Sequence, residues 1–180
     1  MPVRVWASSL RAPWGPVWVC SSQKGVCGIS LRGGKEALER DLGSRRACDF
    51  RTDPEANREL MEQIQEYLTG GRKGFRVELD LWGTAFQIGV WGNLREIPYG
   101  ETRSYGQVAS SLGSPGAARA VGRAAGRNPV PIVVPCHRLI RGDGSLGGFG
   151  CGLDIKGFLL ALEARASGGP RSKSQKRRGS

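Results

Sequence analysis

A chain of 180 residues with 39% hydrophobic side chains can fold as one or two small domains with a buried core, and it contains no apolar run of membrane-spanning length. Residues 1–11 lack the long apolar stretch of a secretory leader. The formal charge of +11 and a pI near 10.1 point to a polyanionic partner, so a soluble, cytoplasmic protein that meets a charged polymer is expected.

In chain order, the first half reads as a small α/β unit. The apolar runs Val17-Trp18-Val19-Cys20 and Val26-Cys27-Gly28-Ile29-Ser30-Leu31, separated by 21–25, predict a hairpin. Asp53-Pro54 opens a predicted helix with Pro54 at its first position, Leu60, Ile64 and Leu68 at helical spacing, and Gly70-Gly71 as its stop. From Phe75 to Leu81 apolar residues alternate with Arg76, Glu78 and Asp80, the pattern of a half-buried strand.

After Gly83 the reading turns helical. Thr84 caps a helix to about Arg95, Ser104 caps one through Leu112, and Ser114-Pro115 starts one reaching about Gly126. The pair from Ser104 to Gly126, broken at Gly113, has the length and turn of a helix-turn-helix. On its second helix Arg119, Arg123 and Arg127 advance by four and share one face, while Ala118, Ala120 and Gly122 among them are small. Small side chains permit close approach to a groove and arginines meet phosphates, although a poorly packed core helix would read the same way. Between Ser104 and Arg141 five arginines, Arg138 and Arg141 included, occur without an acid, which predicts a basic surface. A last helix runs from Asp154 to about Ala166. Residues 167–180 hold five basic residues and no acid and are low in apolar side chains, which predicts a disordered basic tail.

The stretch that concentrates chemistry is Pro135-Cys136-His137-Arg138, which sets the only histidine beside a cysteine. Attack on carbon needs a thiolate, and an imidazole with cationic surroundings lowers a thiol's pKa, so Cys136 is the candidate nucleophile. The preceding 128–134 reads as a strand bracketed by prolines. In a regular strand neighbouring side chains point to opposite faces, so Cys136 and His137 cooperate only if the chain turns here or a water bridges them. Taken as a dipeptide alone, the pair reads more readily as a buried structural cysteine next to a chance histidine. All five cysteines, Cys20, Cys27, Cys48, Cys136 and Cys151, lack a C-x-x-C pair and leave one unpaired in any disulfide scheme, which favours reduced thiols. With no histidine before His137, Cys20, Cys27 and Cys48 read as small buried hydrophobes rather than metal ligands, so neither metal nor cofactor is expected.

From 86 to 163 the chain closely resembles the O6-alkylguanine-DNA alkyltransferase family. The matching text is Ile97-Pro98-Tyr99-Gly100, Ser104-Tyr105-Gly106-Gln107-Val108-Ala109, Gly116-Ala117-Ala118-Arg119-Ala120-Val121-Gly122, Asn128-Pro129, Pro135-Cys136-His137-Arg138 and Leu159-Leu160-Ala161-Leu162-Glu163, in family order. The resemblance implies a ribonuclease H-like α/β domain over 1–80 and a mainly helical, winged-helix-like domain with a helix-turn-helix over 81–166. It implies irreversible transfer of methyl or larger groups from O6-alkylguanine, and O4-alkylthymine, in double-stranded DNA to the protein's own cysteine, once per molecule, by a monomer. Some relatives carry an N-terminal zinc site.

The family roles fall on positions of this chain. Cys136 would take the alkyl group, His137 would act as base through water, Glu163 would orient it, and Asn128 would brace the active-site turn. Tyr105 would donate to the leaving base. Arg119 would fill the space of a base flipped out through the minor groove, and flipping is a physical necessity because O6 lies inside the stack. Leu139 and Gly150 match positions whose backbone contacts the base. Phe149 stands where a hydroxylated aromatic is familiar, Cys151 where glycine is usual, and Gly157 where an acid is common. Two other classes share some of these features: a noncatalytic lesion binder, which Cys136 argues against, and a turnover thiol hydrolase, which leaves the basic helix without a use.

Overall fold

The structure of the protein is a computed structural model that describes residues 1–168, so the expected tail lies outside the described residues apart from Ser167 and Gly168, which form a turn. Strand β1 (Val3–Ala12) was invisible to the sequence reading; β2 (Gly15–Ser22) and β3 (Gly25–Ser30) form the expected hairpin. Helix α1 (Gly34–Arg45) then returns the chain to β4 (Cys48–Thr52), which pairs in parallel with β1 and completes a sheet of order β3-β2-β1-β4. Only Leu38 and Leu42 of α1 are buried, too sparse an apolar stripe to announce a helix. They meet Val5, Ala7, Cys20 and Cys27 on one face of the sheet, and the Cys27 thiol donates to the Cys20 carbonyl at 3.5 Å. Among the described residues no group of three or more His, Cys, Asp or Glu side chains is placed to hold a metal.

Two elements of the first half differ from expectation. Helix α2 (Arg58–Leu68) begins four residues after Pro54, because the Asp53 carboxylate accepts the Glu55 amide in a local turn. Asn57, at the cap position, instead donates to the Trp6 carbonyl and the Ser8 hydroxyl of β1. The alternating segment 75–81 is not a strand beyond a single bridge between Leu79 and Val26. Its apolar positions do pack inward, but the backbone of Arg76 bonds the Gln63 side chain of α2 through both its N–H and its carbonyl, not a neighbouring strand. Gly25 permits that bridge, since a Cβ there would lie 2.5 Å from the Glu78 carbonyl.

The second half is mainly helical. Helices α3 (Ala85–Arg95) and α4 (Tyr105–Ser111) start at Thr84 and Ser104, and each has a complete capping box, with Gln87 and Gln107 reaching back. Helix α5 (Ala118–Gly126) starts later than Ser114-Pro115 predicted, because Ser114 closes a turn by accepting the Ala117 amide before the helix begins. Two short strands, β5 (Arg103–Ser104) and β6 (Leu139–Ile140), pair in parallel, and α6 (Leu153–Ala166) closes the described chain. No described helix is long and apolar enough to cross a membrane.

One apolar cluster joins the two halves. Val17, Val19 and Ile29 of the sheet and Ile64 of α2 belong to the same buried core as Trp91, Val121, Val134 and Leu159. Polar bonds follow it: the Ile29 amide donates to the Pro129 carbonyl at 2.7 Å, and Arg45 of α1 donates to the carbonyls of Trp82 and Arg127.

Candidate active site

Segment 128–134, expected as a strand, is a closed turn. Pro129 and Pro131 supply no amide to a ladder, Val134 donates back to the Val130 carbonyl, and Ile132 takes a left-handed φ of 76°, unusual for a β-branched residue. Asn128 holds the turn from inside: its carbonyl oxygen accepts the Val130 amide, and its Nδ2 donates to the Val134 carbonyl at 2.8 Å and to Cys136 Sγ at 3.1 Å. The chain continues as a 3-10 turn over Cys136–Arg138, so Cys136 and His137 are not divided between the faces of a strand. The expectation of a depressed thiol pKa is overturned. Burial pushes Cys136 up to about 11, against the lowering effects of the Asn128 bond and the Lys156 charge, so the resting group is a thiol that needs a base.

Behind the thiol lies a buried charge cluster. Glu163 of α6, fully buried rather than solvated, accepts from His137 Nε2 at 2.8 Å, from the Tyr67 hydroxyl, from Arg138 Nε and Nη2, and from the Gly100 amide. Burial alone would raise its carboxyl pKa, but donation by His137, Arg138 and Tyr67 outweighs this and holds it at about 2. Two acceptors 2.8 Å apart would repel, so the proton of neutral His137 is assigned to Nε2. The single Tyr67 proton then goes to Glu163. This leaves His137 Nδ1 as a buried nitrogen without a protein partner among the described residues, with its lone pair available. Burial lowers the imidazole's pKa, which keeps it neutral and able to accept a proton.

The thiol opens into a cavity of about 530 Å3 lined by Tyr105, Arg119, Gly122, Arg123, Asn128, Pro131, Phe149, Gly150 and Cys151. Its far wall is the loop after β6. Lys156 of α6, with no exposed surface, ties that loop down by donating to the carbonyls of Leu139, Leu146 and Gly148, and burial lowers its pKa to about 8. The Tyr105 hydroxyl donates to the Gly148 carbonyl in a long 3.4 Å bond, weak enough to be re-aimed at a ligand. Gly147 lets the loop pass this close, since a Cβ there would stand 2.9 Å from the Tyr105 oxygen. Arg119, Arg123 and Arg127 are all exposed, the first two at the cavity rim.

Most candidate residues therefore converge: Cys136, Asn128, Tyr105, Phe149, Gly150, Cys151, Arg119, Gly122 and Arg123 share one cavity, with His137 and Glu163 behind it. Ala118 and Ala120 lie on α5 outside the cavity wall. Leu139 is fully buried, and its carbonyl is turned to Lys156. Arg138 is corrected from a surface residue to a buried partner of Glu163 that also donates to the Ile97 carbonyl at 2.6 Å. Sequence reasoning missed Tyr67 and Lys156 in the site. Tyr67 carried a signal in the sequence, at i, i+4, i+7 spacing with Leu60 and Ile64, and these three are the apolar positions that α2 buries, with Leu68 only half-buried.

The chain is similar to known proteins over most of its length. Residues 6–81 match the ribonuclease-like domain, and residues 85–165 the DNA binding domain, of 6-O-methylguanine DNA methyltransferase. The chain is 43% identical over 153 residues to a methylated-DNA–protein-cysteine methyltransferase of Methanosarcina acetivorans, covering 85% of this chain and 94% of that one. It is 56% identical over 115 residues to one of Mycolicibacterium paratuberculosis, covering 64% and 70%. Among solved structures, Mycobacterium tuberculosis OGT in complex with DNA superposes with a TM-score of 0.79 at 39% identity, covering 91% of this chain and 94% of that one. The O6-methylguanine-DNA methyltransferase of Pyrococcus kodakaraensis gives 0.67 at 30% identity, covering 88% and 98%.

Proposed function

The chain belongs to the 6-O-methylguanine DNA methyltransferase family, and on that premise we propose that it repairs alkylated DNA by moving the alkyl group from guanine O6 to Cys136. The sulfur lone pair forms the S–C bond as the C–O6 bond breaks. The thiol proton passes through water to His137 Nδ1, and Glu163 stabilises the imidazolium that results. Tyr105 turns its hydroxyl from Gly148 to the guanine as charge develops on the leaving base. The thioether is stable, so each molecule acts once. The observation that carries this reading is the join between a cavity-facing thiol and a buried imidazole whose Nδ1 has no protein partner.

The substrate reaches that thiol only out of the stack, so the protein engages double-stranded DNA as a monomer and flips the base. In this reading α4, the turn at Gly113 and α5 form the helix-turn-helix of a winged-helix-like domain over 81–166, beside a ribonuclease H-like domain over 1–80. Small residues Ala118, Ala120 and Gly122 let α5 lie close in the minor groove. Arg119 replaces the extruded base, Arg123 and Arg127 meet phosphates, and Phe149 and Gly150 hold the flipped guanine. O4-alkylthymine presents the same alkyl–oxygen bond and is a second substrate.

Intact mass after incubation with duplex DNA containing O6-methylguanine tests the proposal. One methyl gained per protein, mapped to the peptide of Cys136, is the expected result. An unmodified protein bound to DNA would make it a lesion binder, and release of the methyl group without modification would make it a hydrolase.

A further inference from the structure

We propose that Tyr67, carried on α2 of the amino-terminal domain, is a positioning residue for alkyl transfer: its hydroxyl sets the tautomer and basic strength of His137 by donating to the carboxylate oxygen that His137 also uses. The inference rests on the reading of Cys136 as alkyl acceptor and adds that the first domain reaches into the chemistry of the second. Tyr67 is fully buried, with its ring wedged between Phe75 at 5.4 Å and Tyr99 at 5.8 Å, so its hydroxyl is held at one point. That oxygen contacts both Glu163 Oε1 and, at 3.2 Å, His137 Nε2.

The two contacts pull in opposite directions. As a second acceptor for the Nε2 proton, the Tyr67 oxygen favours the imidazolium. As a donor to Oε1, it draws negative charge from the carboxylate that pairs with that imidazolium. The contact to Glu163 is the shorter one and is charge-assisted, while the one to His137 is long and shares a proton already given to Glu163, so charge withdrawal prevails. Tyr67 therefore keeps the base weaker and neutral. The other groups facing His137 are Arg138 and Lys156, which act in the same direction, and Glu163, which opposes them. Lys156 is anchored apart from this cluster on the carbonyls of Leu139 and Gly148, and Arg138, besides its bonds to Glu163, is held by the Ile97 carbonyl. Removing the hydroxyl changes one influence and leaves the others in place.

Because His137 is the only histidine, its ring C–H resonance in a proton NMR titration reports this site alone. In full-length Tyr67→Phe, which keeps the ring, the His137 midpoint should rise by about half a pH unit. The acid limb of the single-turnover methyl-transfer rate should rise with it. The variant then loses about threefold in rate on that limb and converges with wild type on the alkaline side, at unchanged DNA affinity. Tyr67→Leu, which lacks ring and hydroxyl, should share the midpoint shift and lose more thermal stability. Unchanged midpoints in Tyr67→Phe overturn the proposal, as does a shift seen only in Tyr67→Leu, which would assign the effect to packing. If wild type takes up no methyl group, the reading of Cys136 fails instead, and the NMR titration still decides the role of Tyr67.

Discussion

Two sets of arginines a few residues apart in sequence live in opposite environments. Arg138 has 8% of its side chain exposed and is held by Glu163 and the Ile97 carbonyl, whereas Arg119, Arg123 and Arg127 stand exposed along α5 and just past its end. The first is part of the fold's electrostatics and cannot be removed without stranding a buried carboxylate; the others are available to a polyanion. A count of basic residues between Ser104 and Arg141 cannot separate these uses, because the separation depends on which carboxylate the fold brings near.

The largest expected effect joins the two regions at the thiol. Cys136→Ser should abolish methyl uptake while leaving affinity for DNA intact, since that affinity rests on phosphates and the groove. Stoichiometric methylation surviving in this variant would move the acceptor to Cys151, the other thiol of the cavity.

On the buried side, Glu163→Ala leaves Arg138 without its partner and should cost about 3–5 kcal/mol in urea unfolding. The same cluster sets the acid sensitivity of the wild type. His137 has a depressed pKa when folded, so stability should begin to fall as pH drops below its unfolded value of 6.5. It should fall again as pH drops from 4.5, the unfolded value of Glu163, toward about 2, because the unfolded chain then binds the extra proton. An unfolding free energy that stays flat from neutrality to pH 4 would contradict the neutral, buried imidazole.

On the exposed side, Arg119→Ala should slow repair of duplex DNA on the order of tenfold to a hundredfold and leave reaction with free O6-benzylguanine unchanged, because only the duplex imposes a flipping cost of a few kcal/mol. Equal losses on both substrates would remove Arg119 from the flipping step. Arg123→Ala should weaken binding without regard to the lesion and reduce the salt slope of log K by about 1.

The smallest effect concerns the cavity wall. Cys151 is half-buried there beside Phe149 and Gly150, so Cys151→Gly should raise the rate with O6-benzylguanine severalfold more than with O6-methylguanine. An unchanged ratio of the two rate constants would show that the thiol does not limit the size of the alkyl group.

How much of this was legible in the sequence follows from the range of the interactions. The capping boxes at Thr84 and Ser104 are local, and both helix starts were read within a residue. The strand expected over 128–134 and the helix start expected at Pro54 failed because side-chain bonds to the backbone, from Asn128 to Val134 and from the Glu55 amide to Asp53, closed turns that the hydrophobic pattern does not show. Cys136 and His137 stood out as the one cysteine beside the only histidine, whereas Glu163 was found through family text. Tyr67 lies 70 residues from His137 and 96 from Glu163, and no motif spans that distance. Likewise, Lys156 looked like one more helical lysine because its three carbonyl partners exist only once the loop has closed.

The core that runs unbroken from Val17 to Leu159 bears on how the molecule comes apart. Two sequence domains usually suggest two folding units, yet here the main core is shared: apart from the small cluster between α1 and the sheet, sheet residues fill the floor of the helical half, and α2 lends a side chain to its buried charges. Loss of either half exposes the other's apolar surface to water. The protein should unfold in one cooperative transition, with calorimetric and van't Hoff enthalpies in agreement, and neither half should persist as a native fragment after proteolysis between them.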